Sequence, residues 1–167
     1  MYVLKEDSRN TLLKFVMKIA LYVLVVVGIF SFVLDIQIHY GNNMYPAIRD
    51  GDLVVTNRLA PISVESAVIY KHGGKKRVGR IIAKAGQTVT ITGKGKLLVN
   101  NVQPAEEVFY KTAKADSSVK YPYKVPKGYV FILNDYREDM NDSRTYGAIK
   151  VSDVHGPLLI SMRRRGF

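Results

Sequence analysis

The longest pattern in the chain is an apolar run near its start. Ile19 to Leu34 is a 16-residue stretch without a charge. Phe15, Val16 and Met17 extend it to about 20 residues, the length a helix needs to cross a hydrocarbon core of roughly 30 Å. Lys18 falls inside that extension, where its stem can snorkel to the headgroups. A helix buried in a soluble core is the plain alternative, but so long an unbroken run suits a domain of this size poorly. A cleaved signal peptide has a shorter apolar region ending in small residues. This run instead ends Phe32-Val33-Leu34-Asp35-Ile36. The pattern predicts a polar segment over 1–14, an uncleaved membrane anchor over 15–34 and an external domain over 35–167.

Beyond the anchor, short runs rich in Val, Ile, Leu, Thr and Tyr replace helical periodicity. They predict strands at Leu53–Thr56, Val68–Tyr70, Val78–Ala83, Thr88–Thr92, Leu97–Val99, Tyr129–Leu133 and Leu158–Met162, separated by Gly-rich and Asn-rich turns. Asn100-Asn101 between Val99 and Val102 is a tight hairpin signal. Glu106 to Lys124 is polar and irregular, and predicts a long loop or small insertion. The expected fold is one all-β domain, a coiled antiparallel sheet or barrel, behind one transmembrane helix.

Composition narrows the chemistry. The 167 residues include no Cys, which excludes disulfides, thiol nucleophiles, thiolate metal sites and iron–sulfur clusters. No His-x-x-His or Asp-rich loop spacing points to a metal, and no cofactor is implied. The net charge is +11, from 25 Lys+Arg against 14 Asp+Glu. Lys5, Arg9, Lys14 and Lys18 precede the anchor, so the N-terminus is expected in the cytoplasm and the β domain outside. A positive external domain suits anionic lipid or an anionic wall polymer rather than nucleic acid. Lys75-Lys76-Arg77 and Arg163-Arg164-Arg165 read as solvated ends.

Four motifs carry the most specific signal. They are Gly41-Asn42-Asn43-Met44-Tyr45-Pro46-Ala47-Ile48, then Gly51-Asp52-Leu53-Val54-Val55, then Gly79-Arg80-Ile81-Ile82-Ala83-Lys84-Ala85-Gly86-Gln87. The fourth is Asn134-Asp135-Tyr136-Arg137 with Asp142-Ser143-Arg144. In this order behind an anchor they resemble the type I signal peptidases, the membrane serine proteases that remove signal peptides. The family patterns are Ser-Met-x-Pro-Thr-Leu, Gly-Asp-x-Val, Lys-Arg-Val-Val-Gly-x-Pro-Gly-Asp, and Gly-Asp-Asn-Arg with Asp-Ser-Arg.

The resemblance breaks at the chemistry. Asn43 stands at the position of the serine nucleophile and Gly79 at that of the lysine base, while Met140 replaces a serine common near that lysine. An amide is a poor nucleophile and glycine offers no base. Removing both groups from a serine protease lowers turnover by roughly 10⁶. Lys76 and Lys84 are the nearby amines, but strand alternation points both away from the side of Gly79. His39, His72 and His155 form no motif with a carboxylate.

The resemblance implies a peptide groove bordered by Asn43, Met44, Pro46, Arg80, Lys84 and Met140, with Asp135, Arg137, Asp142, Ser143 and Arg144 as structural braces. Members lacking the dyad are encoded beside pilus genes in Gram-positive bacteria and are needed for pilus polymerisation. By that resemblance the expected function is a non-catalytic assembly factor that binds a backbone pilin, a pilus sortase or both. A retained groove suits β-augmentation, with the Asn43 amide donating and accepting hydrogen bonds. The rival expectations are a peptidase with a relocated base, for which Lys84 and Ser143 are the residues to test, and an electrostatic tether using Arg163-Arg164-Arg165.

Overall fold

The computed structural model describes residues 3–105 and 110–163, with side chains from Arg9 onward. One helix, α1 (Val3–Phe32), precedes the sheets. Its segment Arg9–Phe32 is apolar and long enough to cross a membrane, and none of the span is buried against the protein. The helix begins before the segment expected from sequence and ends short of Leu34. The chain turns at Val33, and Leu34 already pairs with Asn57 in a strand. Hydropathy hid this boundary because the first strand, Leu-Asp-Ile-Gln-Ile, continues the apolar run.

The strands are β1 (Leu34–Ile38), β2 (Leu53–Asn57), β3 (Ala67–His72), β4 (Lys75–Lys84), β5 (Thr88–Ile91), β6 (Leu97–Val99), β7 (Tyr123–Lys124), β8 (Tyr129–Leu133), β9 (Ile149–Lys150) and β10 (Val154–Met162). A short helix, α2 (Ser143–Tyr146), lies between β8 and β9. A seven-stranded sheet runs β1-β2-β10-β3-β4-β8-β9 and a three-stranded sheet runs β6-β5-β7. Every pairing between strands is antiparallel. The all-β domain behind one helix is therefore as expected.

All seven expected strands are present, with β3, β4 and β10 longer than the sequence suggested. β1, β7 and β9 were not foreseen. Asn100 and Asn101 have φ of 50° and 66° and close the Val99–Val102 turn in both directions, as the hairpin signal required. The described part of the irregular stretch holds only β7; residues 106–109 and Arg164-Arg165 lie outside the described residues.

β10 carries two register shifts, which let one strand serve β2 at one end and β3 at the other. Gly156 sits at the second shift with φ 113°, and a Cβ there would run into the Asn57 carbonyl. Three apolar clusters fill the fold. Ile82, Val89, Ile91, Leu97, Phe131 and Leu133 join the two sheets. Val68, Tyr70, Ile81, Ile132 and Ile149 cover one face of β3–β4–β8. Met44, Ile48, Val54, Ile69 and Val78 cover the other, and they anchor the loop that leads to the site.

Candidate functional site

The loop after β1 is shaped by its polar side chains. Gly41 N–H donates to Asp50 Oδ1 at 2.6 Å, and Asp52 Oδ2 accepts from Arg49 N–H at 2.9 Å. Met44 and Ile48, at 0% and 3% exposure, anchor the loop in the core. Asn43 is thereby held against β4 and β8. Its side-chain Nδ2 donates to Val78 O at 2.9 Å and to Asn134 Oδ1 at 2.8 Å, while its backbone carbonyl accepts from Tyr136 N–H at 2.9 Å. A carbonyl oxygen only accepts, so the bond to Val78 fixes which way the amide points. Both amide protons are occupied inside the protein. Asn43 therefore has only Oδ1 to offer a bound chain, where the sequence suggested an amide that both donates and accepts.

At Gly79 no side chain fits. A Cβ would lie 2.5 Å from Ile132 Cγ2 and 3.0 Å from Tyr70 Cε1. Tyr70 is fully buried, and its hydroxyl lies 2.6 Å from that of Tyr146, which stacks on His72 at 3.7 Å between ring centroids. Burial pushes the Tyr70 phenol far above its ordinary range and Tyr146 up to about 12. Neither is a base near neutrality.

The amines of Lys76 and Lys84 and the hydroxyl of Ser143, the groups that could replace the dyad, have structural partners. Lys76 Nζ binds both oxygens of the buried Asp35, at 2.7 and 2.8 Å, and His155 Nδ1 lies 2.6 Å from the same carboxylate. Burial alone would raise the Asp35 pKa. Hydrogen bonds from Lys76 and His155, with the charges of Lys76 and Arg58, outweigh it and hold the carboxyl below its ordinary range. Lys84 Nζ donates to Ile62 O. Arg80 is bidentate to Asp135, at 2.7 and 2.5 Å, and reaches Glu65 O. The Ser143 hydroxyl is buried and accepts from Ile132 N–H at 3.0 Å.

Around residues 134–144, two fully buried arginines form the scaffold. Arg144 pairs with Asp142 at 2.7 Å and donates to the carbonyls of Arg137 and Asp139. Arg137 donates to Asn134 O and Thr112 Oγ1. Asp142 also caps α2 and accepts from Asn134 N–H, so the brace holds the residue that receives Asn43.

Beside Asn43 lies a cleft of about 610 Å³, bordered by Gln37–Asn43 on one side and Lys75–Val78 on the other, with Asp139 and Asn141 at one end. Two unpaired strand edges face it. His39 N–H and C=O bond to Asp52 and Gly51, so alternation turns the backbone groups of Ile38 and Tyr40 to the open edge of β1. Val78 O faces Asn43 rather than β3, so the Lys76 backbone groups face the cleft as well. β4 first pairs with β8 at Arg80.

Of the residues expected to line a groove, only Asn43 borders this cleft. Met44 belongs to the core because its apolar side chain seals the loop. Arg80 and Lys84 are drawn to a carboxylate and a carbonyl elsewhere, and Pro46 and Met140 lie outside the lining. Sequence reasoning passed over Asn134, which takes the first position of the fourth motif where the family pattern has Gly; that departure was the available signal. It also passed over Asp35, set His39 aside for want of a motif and read Lys75-Lys76-Arg77 as a solvated end. In the structure Lys76 is bound to the buried Asp35 and Arg77 is half-buried on the cleft, through neighbours distant in sequence. Among the described residues no cluster of His, Asp or Glu is arranged to hold a metal.

Comparison with known proteins agrees with this architecture. Residues 12–162 match the family described as signal peptidase, peptidase S26. The inactive signal peptidase IA of Staphylococcus aureus strain Mu50 is 25% identical over 153 residues, covering 86% of this chain and 87% of that protein. The chloroplastic thylakoidal processing peptidase 1 of Arabidopsis thaliana is 28% identical over 131 residues, covering 68% of this chain and 37% of the relative. A crystal structure of a signal peptidase I from Enterococcus faecalis V583 superposes with a TM-score of 0.51 at 22% identity, covering 59% of this chain and 97% of that one. With the family match spanning nearly all of the described chain, this protein belongs to the signal peptidase family, peptidase S26.

Proposed function

We propose that this chain is a membrane-held, non-catalytic signal peptidase homologue that binds an extended peptide segment and serves sortase-dependent pilus assembly. The segment belongs to a backbone pilin or to the sortase. The observation that carries the non-catalytic reading is the environment of Asn43, clamped between Val78 and Asn134 where the family places its nucleophile. Gly79, at the lysine position, is packed under Ile132 and Tyr70. Among the described residues, the amines of Lys76 and Lys84 and the hydroxyl of Ser143 are each held by partners of their own. The free edges of β1 and β4 offer backbone donors and acceptors to a guest strand. The name of the Staphylococcus relative, an inactive signal peptidase, points the same way. The pilus role rests on the likeness to family members that lack the dyad.

Membrane attachment has two supports. α1 supplies an apolar span, and the sheet face beside its exit is apolar too. In register, Ile36, Val55 and Ile160 form one row, and Ile38, Leu53 and Met162 the next. Ile36, Ile38, Ile160 and Met162 are about half exposed, an apolar face of the kind that soluble monomers seldom leave open. With the cationic flank of α1 in the cytoplasm, this face rests on the outer leaflet.

The test uses the full chain in detergent with a pilin precursor that retains its signal peptide. The expected result is retention of the precursor without cleavage, weakened by Asn43→Ala. In cells, loss of the protein should remove pilin polymers, and wild type but not Asn43→Ala should restore them. Cleavage abolished by Lys84→Ala or Ser143→Ala would instead establish a peptidase with a non-standard centre.

A further inference from the structure

The cleft contains a cation with nothing to hold. Arg77 borders it, on the rim opposite Gln37–Asn43. Its Nε is buried without a hydrogen-bond partner, and its guanidinium forms no ion pair or hydrogen bond among the described residues. His39, which also borders the cleft, is 4% exposed and its Nε2 is likewise buried without a partner. Polar atoms withdrawn from water in this way cost stability unless a hydrogen-bonding partner meets them, and for the Arg77 Nε–H that partner is an acceptor. The neighbouring charges do not supply one. Lys76 is committed to Asp35, and Lys75 is exposed and cationic. Asp139, the one carboxylate in the lining, accepts from Asn141 N–H and makes no ion pair with Arg77.

Resting on the reading of this cleft as a peptide site, we infer that it selects a segment carrying an acidic side chain, whose carboxylate pairs with Arg77. A guest strand on the free edge of β4 places one side chain beside Arg77 on the same face, because directly opposed residues of paired strands share a face. Arg77 lies two residues before Gly79 along β4 and opposite Tyr70 in register, so the acidic residue sits one pleat away from the Asn43 clamp. A planar guanidinium takes a carboxylate through two parallel N–H bonds, and Nε is one of the two donors in the side-on arrangement. Lys75 adds favourable charge at the mouth.

The probes are two short fluorescent peptides of alternating Thr and Val, one with a central Glu and its twin with Gln, titrated against the full chain in detergent. The Glu peptide should bind roughly tenfold or more tightly than the Gln peptide. Arg77→Gln should erase that difference while leaving Gln-peptide binding in place, and Arg77→Lys should recover part of it. Thermal melting of each variant checks that the fold is retained. Equal binding of both peptides overturns the acidic preference and leaves the peptide cleft standing. A preference that survives Arg77→Gln overturns the assignment to Arg77. If neither peptide binds, the peptide-cleft reading falls and this inference falls with it.

Discussion

A methyl group at position 79 already meets Ile132 at 2.5 Å, so lysine there has to displace core side chains before its amine goes anywhere. Overpacking of this kind costs about 1–3 kcal/mol. Gly79→Ala should lower stability by that amount in denaturant titration. Asn43→Ser with Gly79→Lys should be less stable still and should not cleave a precursor. Adding Tyr70→Ala opens space and should recover stability relative to the double variant, but not activity, because no surrounding side chain is built to hold the new amine against the hydroxyl at 43. Burial puts a larger cost on the brace. Asp142→Ala leaves Arg144 charged at 0% exposure and should destabilise the chain by about 3–5 kcal/mol. The family resemblance marked Asp142 and Arg144 as structural braces, and the structure pairs them. The resemblance could not identify the Asn43–Asn134 bond, which joins positions 91 residues apart.

Between elements, the Asp35 cluster ties β1 to β4 and β10, three strands that are not consecutive in the sheet. Its acid dependence has a definite sign. The folded-state carboxyl titrates below its unfolded value, so the stabilisation is complete above about pH 4 and is lost as pH falls through the depressed folded pKa. His39 acts in a separate window. Burial lowers its pKa against the opposing charges of Asp50 and Asp52, so stability declines once pH drops below about 6.5, where the unfolded state takes up the proton first. Melting temperatures of wild type and Asp35→Asn should converge as pH falls below the ordinary carboxylate range, while His39→Gln should flatten the slope below about pH 6.5. Strand propensity exposed most of the sheet to sequence reading. β1 escaped because it prolongs the anchor's apolar run, and β7 and β9, at two residues each, carry no pattern to read.

For the whole molecule, absence of cysteine makes every introduced thiol unique. Ile160→Cys, on the apolar sheet face, should react slowly with a water-soluble maleimide in membranes and quickly in detergent. Lys94→Cys, exposed in the turn between β5 and β6, should react quickly in both, and in intact cells if the β domain is external. Equal labelling of the two positions in membranes would remove the sheet face from the bilayer. Order and type of the sequence motifs were enough to place the chain in its family, since they fix an architecture. The cleft was less legible. Its rim comes from the ends of β1 and β4, strands separated by β2, β10 and β3 in the sheet, and only folding brings them together.

The packing over Gly79 also acts as a ratchet on descent. A lysine arriving there strains the interior before any hydroxyl at 43 exists for it to activate, and a serine arriving at 43 gives up the Val78 and Asn134 bonds with no amine to serve it. Each first substitution is a loss by itself, whichever comes first. Lineages that carry bulky residues at 70 and 132 together with glycine at 79 should therefore contain no hydrolases, a pattern that a census of sequences and assays can contradict with a single exception.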